Sequence, residues 1–283
     1  MQITLLGTGG PKPDPHRQGP CLSIQAKDRC LIFDTGRGAA TQMAAANISL
    51  DRINRIFITH LHYDHIGNLG DVMLSGWNLG RKQPLVVYGP EGIKDVVQAL
   101  LERVYKKDIE FRMTEASRTG VTLANIQDII KVKEAGPGLV YEDDIFKVFC
   151  EYVSHGHGLG ISQDTWKCLG YRVKAQGKSI AVSGDTVACQ GIDTLAKNTD
   201  ALVLCCYLSE KEQGNIESSF IAEHILACSP QVGKIAQKAG TGKLILTHIR
   251  EKGKEETKNL AQEIKKDFSG QIIIGQDLLV IDV

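Results

Sequence analysis

Short apolar runs alternate with stretches of Gly, Pro, Asn and charged residues along most of the chain, which is the pattern of strands and turns. Residues 2–6 form the first such run, closed by Gly7-Thr8-Gly9-Gly10-Pro11 and a polar loop over 12–19. Residues 21–25 and 30–33 read as two strands around Ala26-Lys27-Asp28, and Asp34-Thr35-Gly36 ends the second. The alanine-rich stretch 39–47 is predicted helical, 53–58 a strand, 67–78 a helix and 85–88 a strand. Ile93, Val96, Val97, Leu100, Leu101 and Val104 recur at helical spacing, so 92–107 is predicted as one amphipathic helix. Stretches 126–133 and 139–153 are β-rich, with Gly136-Pro137-Gly138 between them.

The second half repeats the mixture. Residues 171–174 and 179–182 read as paired strands around Gln176-Gly177, and 201–206 is a continuous apolar run, as in a buried strand. Stretches 218–227 and 230–239 are predicted helical, 244–246 a strand, 254–266 a charged helix, and 272–274 and 278–283 the last strands. Two halves of this kind predict two sheets packed face to face with helices outside, an α/β sandwich of four layers. No linker or low-complexity tract interrupts residues 1–283, so one domain is expected.

Composition narrows the class. Hydrophobic residues make up 42% of the 283, enough for a full core, and Lys+Arg and Asp+Glu balance at 33 each. A dedicated nucleic-acid binder usually shows a basic excess, so nucleic acid is disfavoured as a partner on charge alone. The start of the chain enters a strand pattern without a basic or cleavage signal, and no run approaches the length of a membrane span. A cytoplasmic protein with no membrane association is the expectation. The eight cysteines contain no C-x-x-C pair and are expected as free thiols.

The chemistry concentrates in Thr59-His60-Leu61-His62-Tyr63-Asp64-His65-Ile66-Gly67. Three imidazoles and a carboxylate crowd together at the end of an apolar strand. These donors suit zinc, with Mn²⁺ or Fe²⁺ as competitors. His60 and His62 can point the same way, and after a turn Asp64 and His65 can face a second point nearby. That geometry suits two metals, which need more than four ligands. Later strand ends offer Asp185 in Ser183-Gly184-Asp185-Thr186 and His248 in Leu246-Thr247-His248. Val153-Ser154-His155-Gly156-His157 offers a third candidate.

These motifs, in this order, resemble the metallo-β-lactamase-fold hydrolases, and within them the branch holding ribonuclease Z and the arylsulfatase-like enzymes. Leu6-Gly7-Thr8-Gly9-Gly10-Pro11, Phe33-Asp34-Thr35-Gly36-Arg37-Gly38 and Gly170-Tyr171-Arg172 extend the match nearly end to end. The resemblance implies a four-layer αββα fold and two Zn²⁺. It implies His60, His62 and His155 as ligands of one ion, Asp64, His65 and His248 as ligands of the other, and Asp185 as the bridge. Asp34 would orient a ligating histidine. The chemistry implied is hydrolysis by a metal-bridging hydroxide, with Asp64 as the general base. His157 and His224 are candidate substrate contacts, and a homodimer fits the family.

The sequence departs from the ribonuclease Z pattern in two places. Where those enzymes carry His-Glu-Ala after a buried strand, this chain has Leu204-Cys205-Cys206-Tyr207. Where they carry His before Ser or Thr, it has Cys228-Ser229-Pro230. A Glu–His pair that assists leaving-group protonation is therefore missing, with Glu223 and His224 as the nearest substitutes. The long glycine-rich arm of many ribonucleases Z is also absent. These departures put a hydrolase of small phosphodiesters, aryl sulfates or lactones first, with a tRNA 3′-processing endonuclease as the alternative. A weakly catalytic metal-binding sensor or interaction protein comes third.

Overall fold

In the computed structural model, which describes residues 1–250 and 252–283, the chain forms two seven-stranded sheets. The first half runs β1 (Gln2–Gly7), β2 (Cys21–Ala26), β3 (Arg29–Phe33), α1 (Ala39–Ala45), β4 (Arg55–Phe57), α2 (Tyr63–Ile66), α3 (Leu69–Asn78), β5 (Leu85–Gly89), α4 (Ile93–Ala99), α5 (Lys106–Thr119), α6 (Ile126–Ile129) and β6 (Ile130–Glu134). The second half runs β7 (Gly138–Glu142), β8 (Lys147–Tyr152), β9 (Leu169–Ala175), β10 (Lys178–Val182), α7 (Gln190–Ala196), β11 (Ala201–Cys205), α8 (Ile216–His224), α9 (Ser229–Ala239), β12 (Lys243–Thr247), α10 (Lys254–Ile264), β13 (Gln271–Ile274) and β14 (Leu279–Asp282).

The strand order is β14-β1-β2-β3-β4-β5-β6 in one sheet and β13-β12-β11-β10-β9-β8-β7 in the other. Period-two alternation assigns each side chain to a layer. Ile3, Phe33, Phe57, Ile180, Val203 and Ile245 point between the sheets. Ile32, Ile56 and Ile58 face the helices over the first sheet, and Ala181, Leu202, Leu204, Leu244 and Leu246 face those over the second. Three apolar layers thus separate four layers of structure, the αββα sandwich that the strand and helix pattern predicts. The last strand crosses back, and β14 pairs antiparallel with β1.

The structure redraws several elements. The predicted helix over 92–107 ends as α4 at Ala99, widens through 100–104 to a turn in which the Tyr105 amide donates to Leu100 O, and restarts as α5. Helix α5 buries only Ala116, so its charged sequence gave no amphipathic signal. Residues 126–129 turn helically before β6, and α7 forms in a stretch to which the sequence pattern assigned no element. All eight cysteines are free, as expected. Among the described residues, no helix is long and apolar enough to cross a membrane.

What positions the site is the core beneath it. Phe57 lies 5.1 Å from Phe33, 4.8 Å from Tyr88 and 5.5 Å from Tyr171 between ring centroids. Such pairs contribute about 0.5–1.5 kcal/mol each beyond their burial. The buried Tyr171 hydroxyl donates to Ile58 O at 2.7 Å, which pins the backbone directly before Thr59 and His60 across the two sheets.

Candidate metal centre

Strands β3, β4, β10 and β12 deliver Asp34, His60, Asp185 and His248 from their C-terminal ends, where backbone hydrogen bonding of the sheet stops. Helix α2 carries Asp64 and His65, and the segment after β8 carries His155. All seven residues singled out as metal ligands converge. His60, His62, His155 and Asp185 form one group of donor atoms within 4.8 Å of one another, and Asp64, His65 and His248 form a second. Asp185 reaches both: its carboxylate lies 3.8 Å from His60 Nε2 and 3.9 Å from His155 Nε2, and also 3.5 Å from His65 Nε2 and 3.2 Å from His248 Nε2.

Outer partners fix which ring nitrogens face inward. His65 Nδ1–H donates to Asp34 Oδ2 at 2.8 Å. The Thr59 hydroxyl donates to the same carboxylate at 2.9 Å, which leaves its oxygen to accept from His60 Nδ1 at 3.0 Å. His155 Nδ1–H donates to Ile225 O, which can only accept, at 2.7 Å. Each bond leaves an Nε2 lone pair aimed at the site, the arrangement that prepares imidazole for a cation. His60 Nε2 and His155 Nε2 both point at His62 Nδ1, at 3.0 and 3.2 Å. One proton on His62 cannot satisfy both.

Five further buried atoms have no protein partner: Asp64 Oδ2, His65 Nε2, Asp185 Oδ1, and both ring nitrogens of His248. A buried polar atom without a partner costs roughly 1–3 kcal/mol. Such a cluster is coherent only if a further charged group completes it. The donor set of imidazoles and carboxylates fits divalent transition metal ions.

Electrostatics point the same way. Burial pushes His60 well below its usual value, and burial beside His155 brings His62 down to about 4. Burial would raise Asp185, but the imidazoles of His248 and His65 hold it well below the usual carboxylate range. Burial would lower His65, but Asp185 and Asp34 hold it well above. These carboxylates therefore demand positive charge, which a metal ion held by neutral imidazoles would supply.

Local backbone is specialised to allow this crowding. Asp34 and His248 sit in the left-handed region, at φ 57° and 54°, a strain that clusters at functional sites. Gly10 lies against His248, where a Cβ would come within 2.9 Å of the ring. Gly184, at φ 61°, lets the turn before Asp185 pass Thr59.

The other candidates sit elsewhere. His157 accepts the His155 amide on Nδ1 at 3.0 Å and donates from Nε2 to Trp166 O at 2.8 Å, so both its nitrogens are engaged within the protein. The His224 carbonyl accepts the Gly156 amide, and its ring packs on Gly158 and Phe220, outside both donor groups. In the stretch that departs from the family pattern, Cys205, Cys206 and Cys228 are buried. There the Tyr207 ring stands 5.9 Å from that of His248, with Arg250 5.9 Å from the Tyr207 centroid. Sequence reasoning missed three contributors: the hydroxyl of Thr59, the Trp166 indole beside His62, and Tyr207. Thr59 was findable, since a hydroxyl directly before a ligand histidine is placed to orient it.

A family model described as a beta-lactamase superfamily domain matches residues 29–249. Ribonuclease Z of Mycobacterium bovis is 31% identical over 294 residues, spanning 100% of this chain and 98% of that protein. Ribonuclease Z of Mycolicibacterium paratuberculosis is 29% identical over 305 residues, with 100% and 98% covered. Human tRNase Z, short form, is similar in structure with a TM-score of 0.72 at 23% identity, covering 100% of this chain and 99% of that one. A metallo-β-lactamase-fold protein from Bacillus subtilis gives a TM-score of 0.75 at 20% identity, covering 99% and 98%. The chain belongs to the metallo-β-lactamase-fold hydrolases, metal-dependent enzymes, in their ribonuclease Z branch.

Proposed function

We propose that this protein is a phosphodiester hydrolase of the ribonuclease Z type, acting on RNA 3′ ends with two divalent ions, zinc foremost. The observation that carries the proposal is the pair of donor groups meeting at Asp185, in a chain aligned over its full length with proteins named ribonuclease Z. This reverses the order drawn from the sequence, which placed small esters ahead of RNA. Net charge averages over the whole surface, whereas RNA contact needs only a local patch. Lys12 and His16 are exposed on the loop that follows Gly10, beside His248.

His60, His62 and His155 would hold one ion, Asp64, His65 and His248 the other, and Asp185 would serve both. The ions supply Lewis acidity, activating water near neutral pH and neutralising charge on the phosphoryl oxygens. The protein's own part is to position and to move protons. Asp34 and Thr59 hold His65 and His60 in register. Asp64, buried beside His65 and His248, would accept the proton of the attacking water.

The deciding assay offers zinc-loaded protein a precursor tRNA with a 3′ trailer and, separately, a nitrophenyl phosphodiester. Trailer removal is expected. Turnover of the aryl ester alone would overturn the RNA reading. It would favour the second one, small activated diesters, which rests on the buried cysteines that stand where an acid pair is expected. An aryl leaving group needs little protonation, whereas a ribose oxygen gains roughly 10²–10⁴ in rate from a general acid. Tyr207, whose ring lies 5.9 Å from that of His248, is the proton-donor candidate in that stretch. Burial raises its phenol above the usual value although Arg250 pulls the other way, so it stays protonated at neutral pH.

A further inference from the structure

The segment between His155 and β9 is short, and it is built around one side chain that the metal chemistry does not use. His157 sits two residues after the ligand His155. Its Nδ1 accepts the His155 backbone N–H at 3.0 Å, so that nitrogen carries no proton. The proton is therefore on Nε2, which donates to Trp166 O at 2.8 Å. One imidazole thus ties the backbone of a ligand to the far end of its own loop.

What it ties down is an aromatic wall. The Trp166 ring centroid lies 4.8 Å from that of His62, tilted by 41°, and 6.2 Å from that of His60. Trp166 is half-buried and packs against the outer core of the second sheet. His62 itself is exposed and needs such support. Its neighbours His60 and His155 are anchored by Thr59 and by Ile225 O, whereas His62 meets the other two histidines and this indole.

We propose that His157 is a positioning residue that fixes Trp166 against His62, and that the Trp166 indole is the aromatic wall on which a nucleobase or aryl group of the substrate packs. The first half steadies the three-histidine group. The second rests on the reading of the protein as a phosphodiester hydrolase. Every nucleobase has a face that stacks on an aromatic ring, so such a wall tolerates sequence.

The two hydrogen bonds can be separated. Asparagine reaches the place of Nδ1 and glutamine that of Nε2. His157→Asn therefore keeps the bond to His155 and loses Trp166. His157→Gln keeps Trp166 and loses His155, and His157→Ala loses both. Two readouts need no substrate. Acrylamide quenching reports Trp166, because the only other tryptophan, Trp77, is fully buried. Competition of Zn²⁺ alone against a chromophoric chelator reports each metal equivalent.

His157→Ala and His157→Asn are expected to increase quenching, and His157→Gln to leave it as in the parent. In His157→Ala one zinc equivalent should weaken roughly 10–100-fold while the other holds. Trp166→Ala should raise KM for trailer RNA and for the aryl diester more than it lowers kcat. The positioning role is overturned if His157→Ala and His157→Asn match the parent in quenching and zinc binding, or if His157→Gln exposes Trp166 as fully as His157→Ala does. An unchanged KM in Trp166→Ala overturns the wall. If the parent protein cleaves neither substrate, the hydrolase reading fails while the quenching and zinc results stand.

Discussion

Asp185 and Asp143 are both carboxylates set just beyond strands of the second sheet, and their surroundings are opposite. Asp143, in the turn between β7 and β8, is surrounded by donors. The amides of Ile145 and Phe146, the Tyr141 hydroxyl and Arg29 all point at it, at 2.5–2.8 Å. Asp185 faces imidazoles at 3.2–3.9 Å, and its Oδ1 has no hydrogen-bond partner. One carboxylate has been paid for by protein donors; the other has not. Strand β3 joins the two regions, since Arg29 begins it and Asp34 follows its end. A carboxylate satisfied by protein closes a turn, and one left unsatisfied in a buried cluster awaits a cation.

The strongest way to break this comparison is Asp185→Ala. If the carboxylate serves both ions, elemental analysis should find less metal at both positions, and hydrolysis should fall by more than the roughly 10²–10⁴-fold that a general base alone contributes. Retention of two equivalents would remove Asp185 from its bridging role. Asp64→Ala should cost hydrolysis more than metal, by about 10²–10⁴-fold in rate at equal metal loading, because this carboxylate is both a donor and the base. Equal rates in variant and parent would end that assignment.

Asp34→Ala sharpens the contrast from outside. It should lower metal affinity or activity by roughly 10–100-fold, because His65 and Thr59 lose the acceptor that sets them. A full metal load with unaltered rate would mean that the strand end alone orients His65.

Asp143→Asn should leave metal content and hydrolysis unchanged and reduce only stability. Burial would raise the Asp143 carboxyl, but Tyr141, the two amides and Arg29 bring it down to about 2. Its stabilisation is therefore complete above the usual carboxylate value near 4 and is lost as pH falls toward 2. Allowing for solvent screening, the variant should be less stable by about 1 kcal/mol at neutral pH, and the gap should close in acid. Urea melts at pH 7 and pH 3 check this, and a gap no smaller at pH 3 than at pH 7 would contradict it.

Much of the molecule was legible in the residues themselves. Short apolar runs bounded by turn residues marked β1, β4, β10 and β12, because a buried strand needs apolar side chains along its length. Seven donors were legible because His-x-His-x-Asp-His is local, because Asp185 and His248 each end an apolar run, and because the family resemblance singled out His155. Helix α5 was not legible, since a helix that buries only Ala116 has no apolar stripe to show. Nor was α7, seven residues in which only Ile192, Leu195 and Ala196 are buried, too short a pattern to show a helical stripe.

Sequence alone determined the sandwich, the metal-binding residue types and the branch of the family, because periodicity and motif spacing are written along the chain. Tertiary structure alone decided which nitrogen of each histidine faces the centre. That depends on Asp34, Thr59 and Ile225 O, acceptors at very different separations from the histidines they meet. It also decided that His157 holds Trp166, that Tyr207 stands over His248, and that Asp185 reaches both donor groups. A hydrogen bond is set by distance and direction in space, and residues far apart in the chain meet at these strand ends only once both sheets have packed.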